Sequence, residues 1–165
     1  MIRVLIAEDQ GIVRGALATL LSLEPDLEVV AQVATGDRVV STARETAPDI
    51  ALLDIEMPGL DGLSAAAALH LELPRCRILV LTTFGRPGYL RRAMDAGANG
   101  FMVKDGPVED LIDAIDRILG GEQVIDPVLA TAALTTAALM RRHPSVAQAA
   151  EAASVAMTAL SKPCK

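Results

Sequence analysis

Aromatic, cysteine and histidine residues are scarce in this 165-residue chain: no Trp, one Tyr, two Phe, two Cys and two His. Cys76 and Cys164 are too few for a disulfide framework and lack metal-ligand spacing, so both are expected as reduced thiols. With His70 and His143 alone, a zinc hydrolase or a histidine-based triad has almost nothing to be built from. No apolar run approaches the length of a membrane span, and Met1 leads straight into Arg3-Val4-Leu5-Ile6-Ala7 without a cationic leader. The expectation is therefore a cytoplasmic protein with no membrane partner.

What the chain does have is apolar bulk: 52% hydrophobic against 22% charged residues, at a net charge of −6. That composition excludes ordinary disorder and suffices for one domain with an appendage. The charge is uneven. Residues 1–125 hold 11 Lys/Arg against 19 Asp/Glu, net −8, whereas 126–165 hold 4 against 2, net +2. An acidic main body does not grip nucleic acid, and the tail is too sparsely basic to reverse this.

Short aliphatic runs alternate with longer amphipathic stretches over the first 125 residues. Strands are expected at Ile2–Ala7, Leu27–Val33, Ile50–Asp54, Ile78–Leu81 and Gly100–Val103. Helices are expected over Gly11–Leu23, Asp37–Ala47, the stretch ending at Leu73, Pro87–Ala96 capped by Gly97, and Pro107–Leu119 ended by Gly120-Gly121. Five strand–helix units with nearly continuous apolar strands imply an α/β fold, a parallel sheet covered on both faces. In such sheets ligands bind beyond the carboxyl ends of the strands.

Those ends carry Glu8 and Asp9, Asp54 and Glu56, Thr82 and Thr83, and Lys104. Three carboxylates brought together repel one another and call for a cation. Hard oxygen donors with room for water suit Mg²⁺. Asp54 is then a candidate nucleophile forming an aspartyl phosphate, with Lys104 as a point charge and Thr82 as a hydroxyl donor on the phosphoryl oxygens. Singly, each residue has a plainer use: Asp9 as a helix cap, Asp54 as a turn residue, Thr82 as a strand residue, Lys104 as a solvated charge. Their convergence on one sheet edge is what favours the chemistry.

At this point the chain resembles the receiver domain of bacterial two-component response regulators. The resemblance covers about residues 2–121 and rests on Ile6-Ala7-Glu8-Asp9-Gln10, on Leu53-Asp54-Ile55-Glu56-Met57-Pro58-Gly59 with Asp61-Gly62, on Leu81-Thr82-Thr83-Phe84, and on Gly100-Phe101-Met102-Val103-Lys104-Asp105. It is of the NarL/LuxR type, and Thr82 to Tyr89 looks most like a DesR-like subgroup. The resemblance implies a flavodoxin-like, doubly wound sheet of five strands in the order 2-1-3-4-5. It implies that Asp54 accepts a phosphoryl group from a sensor histidine kinase. Glu8, Asp9, Asp54 and the backbone carbonyl of Glu56 would hold Mg²⁺, Lys104 would pair with the phosphoryl group, and Thr82 and Phe101 would be the switch residues, Phe101 turning inward. Asp105 stands where many receivers carry a cis proline; without proline a cis bond costs about 2.5–4 kcal/mol, so either the site supplies that strain or the bond is trans.

The division expected is a receiver over 1–121 and a linker with an Ala-rich helical tail over 122–165, its helices near Pro127–Arg142 and Ser145–Leu160. NarL/LuxR-type regulators continue into a helix-turn-helix domain, and no intact recognition helix can be laid out here. DNA contact is thus expected only through an output domain not intact in this chain. The tail is read first as a remnant of such a domain or an artefact of expression, and second as a helical dimerisation extension. Gln10, Val13, Arg14 and Leu17 are expected as an exposed surface near the site, resembling the one receivers offer a kinase. A homodimer is expected on phosphorylation. The chain is read as a signalling switch rather than an enzyme. The competing function is a Mg²⁺-dependent phosphohydrolase with Asp54 as nucleophile and Glu56, two residues on, as general acid. A flavodoxin-like cofactor binder fails on the carboxylate-lined edge and on having only Phe84, Tyr89 and Phe101 to flank a flavin.

Overall fold

Successive side chains on a strand point to opposite faces of its sheet, and nearly every strand residue here is apolar, so both faces demand cover. The computed structural model, which describes residues 1–83, 86, 88–131 and 134, supplies it. The strands are β1 (Ile2–Ala7), β2 (Leu27–Val33), β3 (Ile50–Asp54), β4 (Arg77–Thr82), β5 (Gly100–Val103) and β6 (Val124–Ile125). The helices are α1 (Gly11–Ser22), α2 (Val39–Thr46), α3 (Gly62–Glu72), α4 (Tyr89–Asp95) and α5 (Val108–Leu119). All paired strands run parallel, in the order β2-β1-β3-β4-β5-β6.

Two core layers follow from the alternation. Val4, Ile6, Ile50, Leu52, Leu79, Leu81 and Met102 meet Ala18 and Leu21 of α1 and the stripe Leu111, Ala114, Ile115 and Ile118 of α5. Leu5, Ala7, Ala51, Leu53, Ile78, Val80 and Phe101 meet α2, α3 and α4 on the other side. Each fully buried Leu or Ile contributes about 1.5–3 kcal/mol through the water it leaves, so the central strands dominate stability.

The order 2-1-3-4-5 is as expected, but the sheet has six strands rather than five. Val124–Ile125, in the stretch read as linker, pairs with β5 through Gly100↔Val124 and Phe101↔Ile125. Two residues are too few to show a period, and the strand exists because the β5 edge offers unpaired backbone groups. Helix bounds shift for local reasons. The second helix opens with a 3-10 turn at Gly36–Arg38 and stops at Thr46, because Ala47, before Pro48, adopts a left-handed φ of 46°. The fourth begins only after Gly88 and stops at Asp95, one residue short of the expected Ala96; Ala96 is its cap, followed by the left-handed Gly97, whose φ is 92° and whose added Cβ would lie 2.4 Å from the His70 ring. The Lys104–Asp105 peptide is trans.

Beyond β6 the Asp126 carboxylate accepts the Val128 N–H at 3.0 Å and starts a helix over residues 127–131. Its Leu129 is buried in the same layer as Phe101. The remainder of the helix expected over Pro127–Arg142, apart from residue 134, lies outside the described residues, as do the helix expected over Ser145–Leu160, His143 and Cys164. Cys76 is a buried free thiol, pushed up to about 12 by burial and by nearby Asp49, so it stays protonated. Among the described residues no helix is long and apolar enough to cross a membrane.

Candidate functional site

Strand parity decides what each chain segment brings to the carboxyl edge of the sheet. Val4 and Ile6 point toward α1 and α5, and Glu8 continues that register; Ile50 and Leu52 lead likewise to Asp54, and Met102 to Lys104. Glu8 and Asp54 are buried, at 2% and 6% exposure. The Lys104 ammonium bridges them, donating to Glu8 Oε2 and lying 2.9 Å from Asp54 Oδ1. Asp9 is exposed, yet one carboxylate oxygen from each of Glu8, Asp9 and Asp54 lies within 4.8 Å of the others.

Burial pushes the Asp54 carboxyl up to about 6, against the pull of the Lys104 hydrogen bond and charge; Glu8 adds to the rise and the Glu56 backbone N–H opposes it. Burial works against the Lys104 ammonium, but its bonds to Glu8 and Asp54 outweigh that and raise its pKa. The lysine therefore stays charged. Three carboxylates against one ammonium leave an excess of negative charge, all on hard oxygens and open to solvent through Asp9. That donor set fits Mg²⁺, which takes one or two carboxylates and keeps several waters.

The residues expected at the switch lie on the opposite parity. Thr82 is buried at the end of β4 and pairs with Val103, its carbonyl accepting the Lys104 N–H at 2.8 Å. Phe101 is 1% exposed, so its ring is already inside. Glu56 is split: its backbone N–H bonds the Asp54 carboxylate, while its side chain is 71% exposed and pairs with Arg86 at 3.8 Å.

Two residues quoted in the sequence motif without a role, Asp61 and Gly62, shape the site. Gly62 packs so closely that an added Cβ would lie 1.8 Å from the Asp54 backbone oxygen. Asp61 beside it caps α3, accepting the N–H groups of Leu63 and Ser64 at 2.9 Å each. Arg14, expected on the exposed surface with Val13 and Leu17, is half-buried, as they are, and its guanidinium donates to the Glu8 carbonyl at 2.8 Å. An arginine near the start of a helix, beside an acidic strand end, was the available signal.

The family model described as the response regulator receiver domain matches residues 4–116. The chain is 46% identical over 129 residues to the transcriptional regulatory protein DesR of Bacillus subtilis, an alignment taking in 78% of this chain and 64% of DesR. It is 34% identical over 126 residues to the response regulator protein VraR of Staphylococcus aureus, taking in 76% of this chain and 60% of VraR. The chain thus spans less than two thirds of the length of these relatives. Among solved structures it resembles a LuxR-family two-component response regulator from Aurantimonas, with a TM-score of 0.77 at 29% identity over 82% of this chain and 97% of that one. It also resembles the signal receiver domain of NarL from Mycobacterium tuberculosis, with a TM-score of 0.69 at 32% identity over 73% and 98% of the two chains. With the family match running through Glu8, Asp9, Asp54, Thr82 and Lys104, the chain belongs to the response regulator receiver domain family, in the NarL/LuxR-type branch.

Proposed function

We propose that the chain is a phosphoacceptor switch of a two-component system, in which Asp54 takes a phosphoryl group from the phosphohistidine of a sensor kinase. The observation that carries this is the Lys104 ammonium held between two buried carboxylates, Glu8 and Asp54, at the edge of a parallel sheet. A carboxylate oxygen of Asp54 attacks phosphorus; the new O–P bond forms as the N–P bond breaks, and the released imidazole is the leaving group. No general base is required, since the ionised carboxylate is already the nucleophile. Glu8, Asp9, Asp54 and the Glu56 carbonyl would hold Mg²⁺, which offsets charge on the transferring group. Lys104 exchanges a carboxylate for a phosphoryl oxygen, and the Thr82 hydroxyl donates to another. With Phe101 already inside, its part is to keep the inward packing once Thr82 has moved. The added charge then biases two arrangements of the β4–α4 side.

The names of the relatives support an output in transcription. The proposal adds that DNA is reached only through an output domain not intact in this chain, and that the phosphorylated form is a homodimer working in the cytoplasm. The phosphohydrolase alternative loses support, because the side chain it needs as general acid, Glu56, is exposed and ion-paired with Arg86. Intact mass after incubation with acetyl phosphate and Mg²⁺ tests the reading. A single phosphoryl adduct on the native chain, absent from Asp54→Asn and lost on chelation, is expected. Steady phosphate release without an adduct would replace the switch with the hydrolase.

A further inference from the structure

Resting on that reading, we propose that Arg14 is a positioning residue that holds the β1–α1 turn in the form that binds Mg²⁺. All four polar atoms of Glu8 are engaged. Its N–H donates to the Val33 carbonyl at 3.1 Å, its Oε1 accepts the Gln10 N–H at 3.0 Å, its Oε2 accepts Lys104, and its carbonyl accepts Arg14 at 2.8 Å. The residue is 2% exposed, so a partner lost here is not simply replaced by water.

The four bonds differ in what happens to them when a divalent ion arrives. Lys104 occupies Glu8 and Asp54 carboxylate oxygens of the kind a cation requires, so its bonds are exchanged on binding. Arg14 bonds the carbonyl instead, leaving the carboxylates free, so a cation taking those carboxylates does not compete for its bond. It therefore fixes the path of residues 8–10, and with it the direction in which Asp9 presents its carboxylate. A cation near the start of a helix is on the unfavourable end of the helix dipole, a cost that the neighbouring carboxylates offset. The α1 cap, Gln10, contributes no side-chain bond of its own, so the turn is held by the Glu8 Oε1 bond to the Gln10 N–H and by this arginine, and of the two only the arginine leaves the Glu8 carboxylate untouched.

Charge alone and positioning predict opposite signs. Removing a positive group beside the site strengthens its attraction for Mg²⁺; releasing the turn weakens it. Calorimetric titration of the full chain with MgCl₂, without any phosphodonor, reads the difference directly. Arg14→Met is expected to raise the Mg²⁺ Kd about tenfold, the usual scale for losing a group that orients a ligand, and Arg14→Lys to recover only part of it. An unchanged or lower Kd in Arg14→Met, with wild-type far-UV circular dichroism, would overturn the inference while leaving the phosphoacceptor reading intact. If Arg14→Met does not fold, Arg14→Lys decides: a Kd above wild type supports the proposal and one equal to it refutes it. A wild-type chain that takes up no Mg²⁺ would overturn both.

Discussion

The two sides of the site are built to different standards. On the β1–β3 side, every polar atom of Glu8 is bonded, Gly62 is wedged against the Asp54 backbone, and α3 starts on a two-bond Asp61 cap. On the β4–α4 side, α4 has seven residues, no side-chain cap at Gly88, and Ala93 as its one buried residue. Its surface is held by an Arg92 guanidinium 5.8 Å from the Tyr89 ring and an Arg91–Asp95 pair at 3.9 Å. Charges that must meet a cation and a phosphoryl group need fixed positions, whereas a segment that reports their arrival must be cheap to move. The contrast places stability on one side of the sheet edge and the capacity to respond on the other.

Lys104→Met attacks the fixed side hardest. It strands two buried carboxylates, and the expected loss is about 3 kcal/mol at pH 7 by urea unfolding, partly restored by Mg²⁺. Gly62→Ala drives a methyl group into the Asp54 backbone oxygen, with a loss of about 1–3 kcal/mol and a displaced phosphoacceptor, visible in both unfolding and adduct yield.

Asp54→Asn works in the opposite sense. The folded carboxyl titrates at about 6, above its ordinary 3.8, so the fold prefers the protonated form. That preference stabilises fully below the ordinary value and is lost as pH rises through 6. At pH 7 the metal-free wild type therefore carries an ionised group its fold disfavours, and the non-titrating amide is expected to be more stable by about 1–3 kcal/mol. The gap should close as melting is repeated toward pH 4; a gap independent of pH would contradict the burial argument. Arg91→Ala, on the lightly held side, should leave the melting temperature unchanged, since an exposed helix pair adds almost nothing.

The sheet and the convergence of Glu8, Asp9, Asp54 and Lys104 were legible because parallel strands bring their carboxyl ends to one edge, and an apolar run marks where each strand stops. Position along the chain was enough for these four. Direction in space was not. Nothing in the order of residues shows that the Glu56 backbone serves Asp54 while its side chain leaves for Arg86, or that Arg14 turns back toward Glu8 rather than outward. Phe101 was expected to swing inward and is already buried, because the layer formed with α3, α4 and Leu129 closes over it. β6 stayed invisible for the reason that it is created by its neighbour, not by its own two residues.

The central claim is that the phosphoryl group lands on the Asp54 carboxylate and nowhere else. Borohydride reduction of the acetyl phosphate-treated chain converts an aspartyl phosphate to homoserine, which peptide sequencing by mass spectrometry locates. Homoserine at position 54 alone, dependent on Mg²⁺, is the predicted result. Homoserine at Asp9 or another carboxylate, or none in a chain that carries the adduct, would contradict it.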